Sequence, residues 1–212
     1  MIGCCINMKK RVFSFDEINF DNKNLYKKIN LKNMFTHIRG YHGCRPLHLD
    51  NYYDKGIIPI NKEQALRQAL DLLQDEWISK DNVVKLFNSH WSNLMEVHKY
   101  VWFTLTKKEL LDSCGHYLIY GSEFICGMAA ELGCQRNLKR KGIPTIFHCD
   151  VPIERIPEEY LEELNNQVQI GDGDNYGFKV IGTISKNDII KCEHPDKILD
   201  PLNRFLPYYV EI

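Results

Sequence analysis

The chain of 212 residues has no run of about 18 apolar residues, the shortest stretch that is typical of a membrane-spanning helix. Its first ten residues lack the charged-then-apolar order of a secretion signal. The first glycine is Gly3, whereas N-terminal acylation requires a glycine at the second position. We therefore expect a cytoplasmic protein without a membrane partner.

A strong charge of either sign is also missing. Lys and Arg number 27 and Asp and Glu number 28, so the formal net charge is −1. This balance gives no support for a strongly basic nucleic-acid-binding surface. One local basic cluster remains, which we interpret as a solvated helix end: Arg136, Lys139, Arg140 and Lys141.

Cysteine occurs eight times but never in a Cys-x-x-Cys pair. His37, His42 and His48 flank Cys44, yet they supply only half of the ligand pattern that a structural zinc site needs. We expect reduced thiols and no metal. A thiol hydrolase is also disfavoured, because His148 and its neighbour Cys149 would point to opposite faces of a strand.

Hydrophobic residues make up 44% and charged residues 26%, which are ordinary globular values. The length suits one domain over residues 1–212, with residues 1–33 as an irregular or short-helical lead-in anchored by Phe13, Phe15 and Phe20. Strands and helices mix without the regular alternation of a doubly wound sheet, so the predicted class is α+β. The predicted strands cover residues 34–41, 100–105, 116–120, 143–151 and 177–184. The predicted helices include residues 49–55, 81–99 and 158–168. Two others begin at the capping residues Asn61 and Thr106, and one follows the turn that contains Ser122.

The most informative run extends from His42 to Ile57 and contains His-Gly-Cys-Arg followed by a short helix and Gly-Ile. The backbone of Gly43 can hydrogen-bond a carboxamide, His42 can bind a ribose hydroxyl, and Arg45 can reach a phosphate. The alternative is a strand-to-turn corner whose polar side chains merely face water.

This run resembles the first signature of the ADP-ribosyltransferase superfamily, in its poly(ADP-ribose) polymerase and diphtheria-toxin branch. There, His-Gly-x-Arg precedes a hydrophobic helix and a Gly-Leu or Gly-Ile, at about the spacing of His42 and Gly56. The resemblance implies an α+β fold with a split β-sheet core and flanking helices, and it implies that NAD is the substrate.

A second stretch, Tyr120-Gly121-Ser122-Glu123 followed by small residues, resembles the second signature of that superfamily. The resemblance implies that Tyr120 stacks on nicotinamide and that Ser122 lines the same site. Tyr117 is the competing choice for the stacking ring. On a strand the two tyrosines would point to opposite faces, so only one of them could enter the pocket.

The third signature, a glutamate on a late strand, has no match, because the predicted strand carries Phe178 or Lys179 there. Glu123 is the nearest replacement carboxylate, and Asp174 is the next. The acids at 158, 159, 162 and 163 form a solvated helix face instead.

Three functions remain open. The first is an enzyme that transfers ADP-ribose from NAD to a protein, a nucleic acid or water, with His42, Tyr120 and Glu123 as its catalytic residues. The second is a catalytically silent binding or regulatory protein of the same fold. The third is an NAD-dependent RNA 2′-phosphotransferase, which would rely on basic residues such as Arg39, Arg45 and Arg136.

Overall fold

The computed structural model describes residues 10–18, 26–174 and 176–210. Phe13 and Phe15 are buried, as expected of anchors, whereas Phe20 and about half of the predicted lead-in lie outside the described residues. Within the described ranges, no helix combines the length and apolar character needed to cross a bilayer.

The described residues form eight strands and nine α-helices. The strands are β1 Val12–Phe13, β2 His37–Cys44, β3 Val101–Thr104, β4 Thr145–Pro152, β5 Gly177–Val180, β6 Ile189–Glu193, β7 Lys197–Asp200 and β8 Leu206–Tyr209. The helices are α1 Leu31–Met34, α2 Asp50–Lys55, α3 Lys62–Leu73, α4 Lys80–Ser92, α5 Lys107–Asp112, α6 His116–Ile119, α7 Glu123–Glu131, α8 Gln135–Leu138 and α9 Glu158–Ile170.

The main sheet has six strands in the order β5-β3-β2-β4-β6, with β1 pairing parallel to the start of β2 and the other pairs antiparallel. One core cluster contains buried residues of α9, the other contains buried residues of α3 to α8, and both include sheet residues. Strands β7 and β8 form a separate hairpin. The predicted α+β class is therefore confirmed as a mixed fold with a mostly antiparallel sheet.

Pairing along β2 is unequal on its two sides. Strand β4 pairs with β2 over eight residues, from His37 to Cys44. On the opposite side, β3 meets β2 in register only at Tyr41 and Thr104. The two strands therefore part beyond Tyr41, which opens the sheet beside His42 and Gly43.

The helix starts predicted at the capping residues Asn61 and Thr106 are correct, and the structure shows that Ser122 caps a helix as well. Asn61 accepts from Gln64 N at 3.0 Å, Thr106 accepts from Glu109 N at 3.2 Å, and Ser122 accepts from Ile125 N at 3.3 Å. Each bond joins residues three apart in the sequence, so these helix starts do not depend on distant parts of the chain.

Other predictions of secondary structure were wrong. Residues 116–120 were predicted as a strand, but His116–Ile119 is a single helical turn, because a short apolar run does not distinguish the two states. The predicted helix over 81–99 ends at Ser92 and resumes as a 3₁₀ turn at Glu96–Lys99. Strand β5 ends at Val180, ahead of a turn in which Gly182 has φ of 78°.

Candidate functional site

A cleft of about 1230 Å³ opens where β2 and β3 part. Its walls come from the ends of these strands, the segment from α2 to α4, helix α6 and the start of α7. Residues of both faces of the sheet line it, since His42 and Gly43 are neighbours on β2 and alternate in direction. The cleft also receives Trp102, Tyr117, Ser122 and Glu123.

His42 is held by the backbone of β3. Its Nδ1 lies 2.9 Å from the carbonyl oxygen of Trp102, and because a carbonyl can only accept, Nδ1 must carry the proton. Nε2 is then left with a lone pair, and no described residue hydrogen-bonds it. Burial lowers the pKa of His42, so the ring is neutral near pH 7. Its role in the cleft is therefore that of a hydrogen-bond acceptor.

Gly43 lines the cleft through its backbone. A Cβ on Gly43 would lie 2.9 Å from Leu110 Cδ2, so the missing side chain makes room for helix α5 rather than for a ligand. The carbonyl oxygen of Tyr41 lies on the β3 side, 3.5 Å from Thr104 Oγ1. Because polar backbone groups two residues apart point to the same side of a strand, we expect those of Gly43 to face the opening beside β3.

Gly56 ends helix α2 with φ of 80°, a conformation that favours glycine. A Cβ there would lie 2.1 Å from the carbonyl oxygen of Ile184. The next residue, Ile57, exchanges backbone hydrogen bonds of 3.0 and 2.9 Å with Ile184. The second glycine of the sequence pattern therefore fixes this wall of the cleft to the segment after β5.

Glu123 is the carboxylate that the fold brings to α6. His116 Nε2 lies 3.1 Å from its Oε1, and His98 Nδ1 lies 3.9 Å from its Oε2. Hydrogen bonds from His116 and then from Tyr117 lower the pKa of Glu123, against the opposing effect of partial burial. Glu123 is therefore ionised at neutral pH and is oriented by fixed neighbours. The Ser122 side chain, by contrast, caps helix α7.

Tyr120, predicted as the stacking residue, does not line the cleft. It is buried in the core between the sheet and helices α3 to α8. Its hydroxyl donates to Asp200 Oδ2 at 2.7 Å, and Lys139 Nζ lies 4.9 Å from the centre of its ring. Tyr117, the competing choice, lines the cleft instead. The prediction of Tyr120 was wrong because it rested on strand geometry in a segment that is helical.

Arg45, predicted to reach a phosphate, is buried and bonded to backbone. Its Nε donates to Lys141 O at 2.8 Å, its Nη1 donates to Leu118 O at 3.1 Å, and its Nη2 donates to Lys139 O. Each guanidinium nitrogen thus already has a protein acceptor. These bonds use three of the five N–H donors of the guanidinium, and Arg45 also lines the cleft, so its predicted contact with a phosphate stays a prediction.

The late strand supplies no carboxylate to the cleft. Phe178 is fully buried, and Lys179 Nζ lies 4.7 Å from the centre of the Tyr100 ring. Asp174 forms an ion pair with Lys108 and does not line the cleft. Among the described residues that line it, carboxylates are carried by Asp71 and Glu123.

The basic cluster is only partly a solvated helix end. Lys139 Nζ lies 3.0 Å from Asp200 Oδ2, and Lys141 Nζ donates to the carbonyls of Asp71 and Leu72.

Burial raises the pKa of the Cys44 thiol to about 12, so this thiol is a poor nucleophile. In the described ranges, no group of three or more His, Cys, Asp or Glu side chains could hold a metal ion.

No protein-family model matches the chain, and neither the curated proteins nor the solved structures give a significant match. The function must therefore be argued from the cleft itself.

Sequence reasoning missed three contributors to the cleft. Trp102 fixes the tautomer of His42 through its carbonyl, which no side-chain pattern reveals. Lys55 and Arg67 place two cations on the wall near α2 and α3. Arg67 forms an exposed ion pair of 3.2 Å with Glu63, which is weak enough to leave it available to a ligand.

Proposed function

We propose that this protein binds NAD in the cleft between β2 and β3 and transfers its ADP-ribose to a macromolecular acceptor or to water. The observation that carries the proposal is that His42, Gly43, Tyr117 and Glu123 line one cleft at a gap in the sheet. The gap beyond Tyr41 also favours an ADP-ribosyltransferase-like split sheet as the fold.

Each group of the cleft suits one part of NAD. The backbone of Gly43 can pair with the carboxamide of nicotinamide, and the ring of Tyr117 offers an apolar platform for the pyridine. Nε2 of His42 can accept from a ribose hydroxyl. Lys55 and Arg67, which also line the cleft, offer exposed cations for the two phosphates.

The chemistry that follows is a dissociative substitution at the ribose carbon. The glycosidic bond breaks, and its electron pair leaves with neutral nicotinamide, so the ribose becomes cationic. The ionised carboxylate of Glu123 stabilises that charge, and the acceptor oxygen or nitrogen then bonds to the ribose carbon and loses its proton. Holding both partners in the cleft supplies the orientation.

Binding is tested by isothermal titration of purified protein with NAD. We expect His42→Ala and Tyr117→Leu each to weaken the affinity about tenfold, through the loss of a hydrogen bond and of ring stacking. Tyr120→Phe is the matched control, since it alters a tyrosine outside the cleft and should leave the affinity unchanged. Equal affinities of the wild type, His42→Ala and Tyr117→Leu would refute this placement of NAD.

The affinity for NAD should depend on pH through His42. Burial holds the pKa of His42 below its ordinary value of 6.5, and only the neutral ring accepts at Nε2. Affinity is therefore expected to be constant above pH 7 and to fall as pH drops through the lowered pKa, below 6.5. His42→Gln retains an acceptor that does not titrate, so its profile should be flat in that window. A wild-type profile as flat as that of the variant would contradict this role for His42.

A catalytically silent binding protein is the second candidate, and the absence of a carboxylate on β5 in the cleft favours it. Release of free nicotinamide from NAD distinguishes the enzyme from the silent binding protein.

The phosphotransferase alternative has less support: Arg45 is bonded to carbonyls, Arg39 is bonded to Asp150, and neither Arg39 nor Arg136 lines the cleft.

A further inference from the structure

Helix α6 at His116–Ile119, in the wall of the cleft, and helix α8 at Gln135–Leu138 are single turns of four residues. Helices this short are not stable on their own, because the free energy cost of ordering the first turn exceeds the stabilisation by its few hydrogen bonds. The last carbonyl oxygens of each helix also lack N–H donors within the helix. Both helices therefore need partners from elsewhere in the fold.

Arg45 supplies such a partner to both helices. It lies just past the end of β2, and its guanidinium donates to Leu118 O in α6, to Lys139 O at the C-cap of α8 and to Lys141 O beyond it. A planar guanidinium has five N–H donors on three nitrogens, so it can bond three acceptors on two segments at once. A lysine ammonium has one nitrogen and cannot reach all three acceptors.

We propose that Arg45 is a positioning residue that holds α6 against the end of β2 and so places Tyr117 and Glu123 opposite His42. Tyr117 lies on α6, next to the carbonyl that Arg45 binds, and Glu123 follows the turn at the end of α6. The effect of Arg45 on a ligand rests on the proposed function, whereas its effect on α6 does not.

Hydrogen–deuterium exchange of the unliganded full chain tests the effect on α6. In Arg45→Lys, we expect the amides of Leu118, Ile119 and Tyr120 to exchange at least about tenfold faster, because they are protected by bonds within this turn. Strand β4 and helix α9 should keep their protection. Arg39→Lys, in β2, is the matched control. The Arg39 guanidinium binds Asp150 and Glu17, so its loss should not change the exchange of α6.

Arg45→Ala adds a rescue experiment. Methylguanidinium at millimolar concentration should restore protection of α6 in this variant, and equimolar KCl should not. Unchanged exchange of α6 in Arg45→Lys and Arg45→Ala would overturn the proposal. If NAD binding were weaker in the same variants, Arg45 would act by contacting the ligand itself. Equal acceleration throughout the chain would overturn it as well, since Arg45 would then only stabilise the whole fold.

Titration with NAD separates this inference from the proposed function. Faster exchange confined to α6, together with affinity reduced at least about tenfold in Arg45→Lys, supports both. If the wild type does not bind NAD, the proposed function is refuted. Faster exchange confined to α6 in Arg45→Lys would still support the positioning of α6 by Arg45.

Discussion

Replacing Glu123 with glutamine is expected to lower the rate of nicotinamide release from NAD by about 100- to 1000-fold, the range typical of removing one electrostatic group from a reacting centre. Glutamine keeps the size of the side chain and one acceptor oxygen but not the charge. Since the charge matters only once the ribose becomes cationic, the dissociation constant for NAD should change little. The measurement is quantification of free nicotinamide by mass spectrometry under single-turnover conditions.

The matched control for Glu123→Gln is Glu131→Gln, at the other end of helix α7. Glu131 Oε2 lies 2.9 Å from His90 Nε2, so the control also removes a carboxylate that has a histidine partner. Glu131 does not line the cleft, and its variant should retain the wild-type rate. Equal rates for the wild type and Glu123→Gln would remove Glu123 from the mechanism. A wild type that releases no nicotinamide would favour the silent alternative.

Replacing Asp200 with alanine should destabilise the protein by about 3 kcal/mol, the largest effect on stability that we expect from one substitution. Asp200 is fully buried, and its carboxylate accepts from the Tyr120 hydroxyl at 2.7 Å, from Lys139 Nζ at 3.0 Å and from Leu202 N at 3.1 Å. Alanine would leave the Tyr120 hydroxyl without its acceptor and the Lys139 ammonium without its counter-ion. Urea unfolding followed by tryptophan fluorescence measures the loss.

Two milder variants show how much a single tyrosine hydroxyl contributes to the free energy of unfolding. Tyr120→Phe removes one hydrogen bond and should cost about 1 kcal/mol. Tyr117→Phe removes the hydrogen bond from the Tyr117 hydroxyl to Glu123 and should cost at most about 1 kcal/mol, because neither residue is fully buried. An Asp200→Ala protein as stable as the wild type would show that the carboxylate does not hold this part of the core together.

Much of the fold follows from local signals that the sequence displays. Asn61, Thr106 and Ser122 begin helices because each caps an amide three residues ahead. Gly56 ends α2 because its positive φ is accessible to glycine. The pattern around residues 34–41 also placed His42 on a strand, although β2 begins later, at His37.

The sequence by itself therefore determined the α+β class, most of the elements and His42, Gly43 and Glu123 as candidates for one cleft. Only the tertiary structure decided that Tyr117 enters the cleft, that Tyr120 is buried against Asp200, and that Arg45 binds backbone. The partners that decide these orientations are distant in sequence: Asp200 is 80 residues from Tyr120, and Leu118 is 73 residues from Arg45. A capping bond forms within three residues, whereas the direction of a side chain depends on which distant groups the folded chain brings beside it.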